Sequence, residues 1–206
     1  MEKSEFSNLL SAYIPELSLD LIYDVFSRYN AQLIISKPRL SKLGDFRPPV
    51  KGSMPRISVN GDLNKYEFLI TLLHEMAHLI AWKQHNRFIK PHGHEWGNIF
   101  KLLIEDMLCS GIFPEEIKVC LNNEIEAGRN NFSNLNSKLV KALEKFSDEK
   151  KMLRLDNIPE KAKFVLPSGK IMEKGEKLRK RYKCIEINTG RCYYVHELAK
   201  IIKFTV

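Results

Sequence analysis

Two imidazoles and a carboxylate stand at the spacing that zinc hydrolysis needs in His74-Glu75-Met76-Ala77-His78, an HExxH sequence. On an α-helix, residues four apart leave from one face, so His74 and His78 can close on a single ion. Glu75 is turned ~100° from His74. That keeps it out of the tetrahedral ligand set but near the open fourth position, where it can take a proton from zinc-bound water. The bland alternative is a pair of core histidines bonded to backbone carbonyls with the glutamate in solvent.

The helix that must carry these groups is apolar nearly all round. Phe68, Leu69, Leu72, Leu73, Met76, Ala77, Leu79, Ile80 and Trp82 predict a buried central helix from Tyr66 to about His85. Glu67, Thr71, His74, Glu75 and His78 make a narrow polar stripe along it, and buried polar groups without partners are costly. A metal and its water would satisfy them, which favours the metal reading.

Two histidines do not fix a catalytic zinc, so a third protein ligand is needed. His85 shares a face with His74 but lies seven residues beyond His78, or ~10 Å along the axis. The extended pattern HExxHxxGxxH fails because Ala81 and Gln84 replace its Gly and His. Pro91 biases its predecessor away from the α region, so the chain should turn back there and can return His92. A second amphipathic helix then begins near His94, with Trp96, Ile99, Phe100, Leu103 and Met107 at helical spacing. His92, His94, Glu105 and Asp106 are the candidate third ligands.

Leu72 to His78 followed by Pro91-His92-Gly93-His94-Glu95-Trp96 resembles the SprT-like (Spartan-type) zinc metalloprotease family, whose pattern is HExxH and then H-G-x-x-aromatic. The loosely matching Leu43-Gly44-Asp45-Phe46-Arg47 and Ile57-Ser58-Val59-Asn60 resemble the strands beside the metal helix in that family. The resemblance implies one Zn²⁺ per chain held by His74, His78 and His92, with Glu75 as general base. His94 is the rival third ligand. A gluzincin-type ligand at Glu105 or Asp106 leaves the Pro-His-Gly segment unexplained. The implied activity is cleavage of proteins, with DNA-bound or DNA-crosslinked proteins as substrates. For the tetrahedral oxyanion, Tyr66, Arg47 and His94 are candidate donors. A rival function is a nucleic-acid-binding protein with a structural zinc site and vestigial catalysis; the intact Glu75 argues against it, since a structural site has no use for that carboxylate.

At 206 residues and 44% hydrophobic content, the chain can build one well-packed domain and an appendage. No apolar run approaches membrane-spanning length and the N-terminus lacks a signal peptide's regions, so a cytoplasmic protein without membrane contact is expected. Cys109, Cys120, Cys184 and Cys192 form no CxxC pair, which suits a reducing compartment. Residues 1–137 carry 15 basic and 16 acidic side chains, against 18 and 9 in residues 138–206. The excess of positive charge therefore sits in the last third and suggests an anionic partner, nucleic acid before membrane.

These patterns predict an α+β protein: a zincin-like domain with an N-terminal helix, a small sheet, the HExxH helix and a second helix, then a small C-terminal β-unit. Ser18 caps a helix to about Tyr29. Strands follow at Gln32–Ser36, within 37–49 and at Pro55–Val59. A third helix is expected from Pro114 to about Ala127, a polar loop over 128–133, and a helix from Asn134 to Phe146. The divisions read as 1–130 for the metalloprotease domain, 131–155 for a helical linker, and 156–206 for the basic β-unit. In that unit strands are expected at 163–166, 182–187 and 191–195. By resemblance it corresponds to a zinc ribbon that has lost its cysteines, because Cys184 and Cys192 alone cannot supply four thiolates; no second zinc is expected. Phe164, Leu166, Ile185, Ile187, Tyr193, Val195, Leu198 and Ile201 are available to pack it. Lys174, Lys177, Arg179, Lys180, Arg181 and Lys183, placed between strands, are the expected contacts to DNA phosphates. Tyr182, Tyr193 and Tyr194 could stack on unpaired bases.

Overall fold

The computed structural model describes residues 2–39, 42–50, 52–85, 90–126, 137–147 and 153–205, which fall into two units, Met1–Asp148 and Glu149–Val206. The first unit opens with α1 (Lys3–Leu10), which buries Phe6 and Leu10 one turn apart. After a 3-10 turn at Glu16–Ser18 comes α2 (Leu19–Tyr29), whose buried face is Leu19, Ile22 and Phe26. Ser18 stands at the expected N-cap position, but its hydroxyl donates back to the Pro15 carbonyl rather than capping the helix. Asn30 ends α2 in the left-handed conformation, φ 46°, a common helix stop.

Three short strands follow: β1 (Gln32–Ser36), β2 (Gly44–Arg47) and β3 (Arg56–Asn60). The sheet order is β1-β3-β2, with β1 parallel and β2 antiparallel to β3. β3 is therefore the central strand and β2 lies at an edge. Because side chains alternate along a strand, Ile57 and Val59 enter the core from β3, and Gly44 and Phe46, paired with Val59 and Ile57, share their face.

α3 (Lys65–His85) is the central helix of this unit and buries residues on every side, from Phe68 through Ala81. Asn64 starts it: the side-chain oxygen accepts from the N–H groups of Tyr66 and Glu67, 3.1 and 3.0 Å away. The same side chain donates to the Leu143 carbonyl and the Ser147 hydroxyl, tying α3 to the end of the last helix of the unit. α4 (His94–Cys109) packs Trp96, Phe100, Ile104 and Met107 inward. α5 (Glu115–Glu126) and α6 (Ser137–Glu144) complete the unit. Of the expected helical linker, residues 131–136 and 148–152 lie outside the described residues, as do Ala127 and the polar loop over 128–133.

The second unit is a five-stranded sheet of order β7-β6-β5-β4-β8, with β4 (Lys163–Val165), β5 (Ile171–Leu178), β6 (Arg181–Glu186), β7 (Cys192–His196) and β8 (Lys203–Thr205). All its neighbouring strands are antiparallel. Its core is Leu155, Ile158, Ala162, Phe164, Met172, Tyr182, Cys184 and Ile201. Two expectations need correction here. Residues 174–183 are not a connection between strands: they form most of a hairpin, β5 and β6 joined at Arg179-Lys180. Ile185 and Ile187 are exposed, at 47% and 42%, because β6 points Tyr182, Cys184 and Glu186 inward and the opposite phase outward. Among the described residues no helix is long and apolar enough to cross a membrane.

Candidate metal centre

His74 and His78 leave α3 one turn apart, as four-residue spacing requires, and a turn brings His92 to meet them. The Gly93 N–H donates to the Lys90 carbonyl at 2.8 Å, closing a four-residue turn with Pro91 and His92 at its centre. Proline cannot take the positive φ that hairpin turns of type I′ or II′ need at their first central position, so the turn is of the type II class. That class requires a positive φ at the second central position. His92 occupies it at φ 59°. Gly93 follows as the N-cap of α4, and its carbonyl accepts the first helical bond from Gly97.

The result is a converging triad. The Nε2 atom of His92 lies 3.0 Å from Nε2 of His74 and 3.1 Å from Nε2 of His78, and donor atoms of all three rings lie within 4.8 Å of one another. Metal–nitrogen bonds of ~2.0–2.1 Å in a tetrahedral site place neighbouring donors ~3.3 Å apart, close to what the rings show. Burial pushes the His74 pKa down to about 3 and that of His78 to about 4, with the neighbouring imidazoles adding to the effect; burial also lowers His92. All three rings are therefore neutral near pH 7, the form whose lone pair binds metal. Three neutral imidazoles aimed at one point fit a transition-metal ion of the kind imidazole favours.

Trp96 supports the triad from α4. Its ring centroid lies 4.7, 5.2 and 4.7 Å from those of His74, His78 and His92, and it stacks on Phe100 at 5.2 Å with 12° between the planes. Phe100 also meets His74 edge-on at 5.7 Å. The amphipathic pattern of residues 96–107 identifies Trp96 as a core residue; its contact with all three histidines depends on the turn before it and is not legible in that pattern.

Glu75 is 8% exposed. Burial first, and then the nearby Asp45 charge, raise its pKa to about 7, while a hydrogen bond from the Phe46 backbone N–H and the charges of Arg39 and Lys42 pull the other way. The carboxyl, on the residue next to His74, is thus near its midpoint at neutral pH, and a cation at the triad would favour its charged form.

The competing third ligands are not brought to the triad. His94 is exposed and its Nδ1 lies 3.0 Å from the Asn98 amide nitrogen, one turn along α4. Glu105 faces Lys101 at 3.7 Å, and Asp106 is exposed. Of the proposed oxyanion donors, Arg47 pairs with Asp45 at 2.8 Å, and Tyr66 packs its ring against Phe113 and Phe146.

Compared with known protein families, residues 30–119 match the SprT-like family, from the end of α2 into α5. This segment is SprT-like in sequence. No curated protein and no solved structure gives a significant match to the chain. The SprT-like segment thus contains the whole small sheet, α3, the His92 turn and α4, which are all the elements that build the triad.

In the second unit the structure separates the six expected basic contacts. Lys174 is 3% exposed; its ammonium donates to the Ile158 carbonyl and sits 4.0 Å over the Tyr182 ring, and burial lowers its pKa. It cannot reach a phosphate and leaves the set. Lys177 is paired with Glu197 at 2.7 Å. Arg179, Lys180, Arg181 and Lys183 are exposed, and among the described residues none forms an ion pair. Of the three tyrosines, Tyr182 is a core residue at 7% exposure, Tyr193 is half-buried, and Tyr194 projects at 57% beside Lys183.

Proposed function

We propose that this chain is a zinc-dependent endopeptidase of zincin-like architecture. The observation that carries the reading is the convergence of His74, His78 and His92 with a buried carboxyl, Glu75, on the residue next to the first of them. A zinc ion held by the three imidazoles would supply Lewis acidity, acidifying a water and polarising a carbonyl. The chain's own residues do the rest. The imidazoles are kept neutral by burial and aimed by the type II turn and by Trp96. Glu75 takes the proton from the attacking water and returns it to the leaving amine, a role suited to a group poised near neutrality. β2, at the edge of the small sheet beside α3, offers backbone groups to which an extended substrate can add as a strand, which favours sequence-tolerant cleavage.

DNA-bound or DNA-crosslinked proteins are the proposed substrates, with the second unit supplying the contact to DNA. Arg179, Lys180, Arg181 and Lys183, with Tyr194 and His196 opposite Lys183 and Arg181 across β6 and β7, support this. The rival reading, a nucleic-acid-binding protein with a structural metal site, leaves the buried Glu75 without a role.

One experiment tests the reading. Metal content is measured alongside cleavage of casein and of a DNA-binding protein, with and without DNA, for the wild type and Glu75→Gln. One zinc per chain, with cleavage in the wild type and none in Glu75→Gln, is expected. Zinc without cleavage of any substrate refutes the endopeptidase. For the DNA contact, the slope of log affinity against log salt should shrink by roughly one for each of Arg181→Ala and Lys183→Ala; an unchanged slope removes that contact.

A further inference from the structure

We infer that Gly44 is a positioning residue for Glu75: the missing side chain at this strand position forms the seat in which the carboxyl rests. This rests on the endopeptidase reading for its catalytic meaning. The geometry stands by itself. A Cβ atom placed on Gly44 would come 2.6 Å from Glu75 Oε1, 2.7 Å from Glu75 Cγ and 2.8 Å from Thr71 Cγ2, closer than real Cβ contacts run. Thr71 and Glu75 are one helical turn apart, so both look from α3 at the same point of β2. Two residues along β2, the Phe46 backbone N–H lies near enough to the carboxyl to lower its pKa. Glu75 therefore meets β2 at the gap it fills over Gly44, with the Phe46 N–H close by.

Gly44 is not required for its backbone conformation. It pairs regularly with Val59 in the antiparallel ladder and is not among the glycines of positive φ, so alanine can adopt its backbone without strain. The cost of a side chain there comes from contact alone. The Glu75 carboxyl is the most movable of the three colliding groups, and it can give way only by leaving its place against β2. His74 and His78, on the neighbouring face of α3, and His92, in the turn before α4, have no atom among the three closest neighbours of that Cβ.

The test is a thermal-unfolding cycle on the metal-stripped full chain: wild type, Gly44→Ala, Glu75→Ala and the double variant. The drop in Tm caused by Gly44→Ala should shrink by more than half in the Glu75→Ala background. An equal drop in both backgrounds overturns the seat and assigns the glycine to helix–strand packing at Thr71. If Gly44→Ala alone does not fold, the double variant should still fold as well as Glu75→Ala; its failure also overturns the seat. On the zinc-loaded protein, Gly44→Ala should keep one zinc per chain and its KM for casein while kcat falls by on the order of 100-fold, the cost of a misplaced catalytic group. An unchanged kcat overturns the positioning role. Coupling in Tm with a wild type that cleaves nothing refutes the endopeptidase reading and leaves the seat standing.

Discussion

Replacing Trp96 with alanine should weaken both the first unit and its hold on metal. Trp96 is 1% exposed and bears on the rings of His74, His78, His92 and Phe100. Truncating a fully buried large aromatic costs ~3–5 kcal/mol. One feature of the site reduces that figure. The indole Nε1 is buried and has no hydrogen-bond partner among the described residues, so alanine also removes an unsatisfied donor that itself costs ~1–3 kcal/mol. Taking the middle of each range, the expected net loss is ~2 kcal/mol, a large share of the ~5–15 kcal/mol that stabilises a typical domain. Trp96→Phe keeps most of the ring area and discards the N–H, so it should cost ~1 kcal/mol or less by the same accounting.

The assay is urea unfolding of the metal-stripped chain followed by tryptophan fluorescence. Both tryptophans, Trp82 and Trp96, lie in the first unit, so the signal follows that unit alone, and Trp82 remains as reporter in either variant. Zinc affinity, measured by chelator competition, should fall by ~10–100-fold in Trp96→Ala, the usual effect of removing a group that orients metal ligands. A stability loss below ~1 kcal/mol in Trp96→Ala, or a Trp96→Phe variant as damaged as alanine, refutes the reasoning that ring packing rather than the N–H holds the triad.

His92→Ala should lose stoichiometric zinc after dialysis against buffer, while His94→Ala keeps it, since only His92 reaches the other two histidines; elemental analysis of the two variants decides, and full zinc in His92→Ala would refute the triad. The metal-stripped protein should lose stability on acidification below pH 6.5. Between about pH 4.5 and 6.5 the unfolded chain binds two protons, at His74 and His78, that the folded chain refuses, because their folded pKa values lie at about 3 and about 4. Glu75, raised to about 7, has the opposite sign and holds one proton that the unfolded carboxylate has lost. The balance is about one proton, or on the order of 1 kcal/mol lost per pH unit, with the lowered His92 adding in the same direction. Urea midpoints at pH 5, 6 and 7 would show it, and midpoints that hold steady or rise toward pH 5 would refute it.

The part of the chain that carries the histidine triad is the most legible, for physical reasons. α3 is apolar on every side, so its polar stripe has few structural explanations, and the expected span from Tyr66 to about His85 lies within one residue of the observed helix. Pro91 marked the turn that returns His92. Gly44 and the Phe46 N–H were not legible as parts of a site: one has no side chain, and the other is a backbone group whose direction depends on the register of β2 with β3. Asn64 gave a weak cue because it lies just past the Asn60-Gly61 break and its cap is recognisable only once the helix start is known. α1 was missed because Phe6 and Leu10 alone give too short a periodic pattern.

The second unit shows how composition misleads where strand phase decides. Residues 182–187 carry apolar side chains in both alternating phases, Tyr182 and Cys184 in one, Ile185 and Ile187 in the other, so the pattern alone cannot say which face is inside. The register resolves it: Cys184 stands opposite Lys174 of β5 and Tyr193 of β7, in the core phase. A run of six positive charges likewise reads as one patch until β5 buries its first member and Glu197 engages its second.

The polar stripe of α3 is shared between two neighbours. Thr71 and Glu75 face β2, where Gly44 and the Phe46 N–H receive them; His74 and His78 face α4 and the His92 turn, where Trp96 receives them. His74 and His78 on one side and Glu75 on the other are therefore supported by different elements, although His74 and Glu75 are adjacent in the chain. A change at Trp96 should act mainly on metal affinity, and a change at Gly44 mainly on turnover with metal retained. Had both groups shared one support, either substitution would move both quantities together, so measuring zinc affinity and kcat on the same two variants tests the division directly.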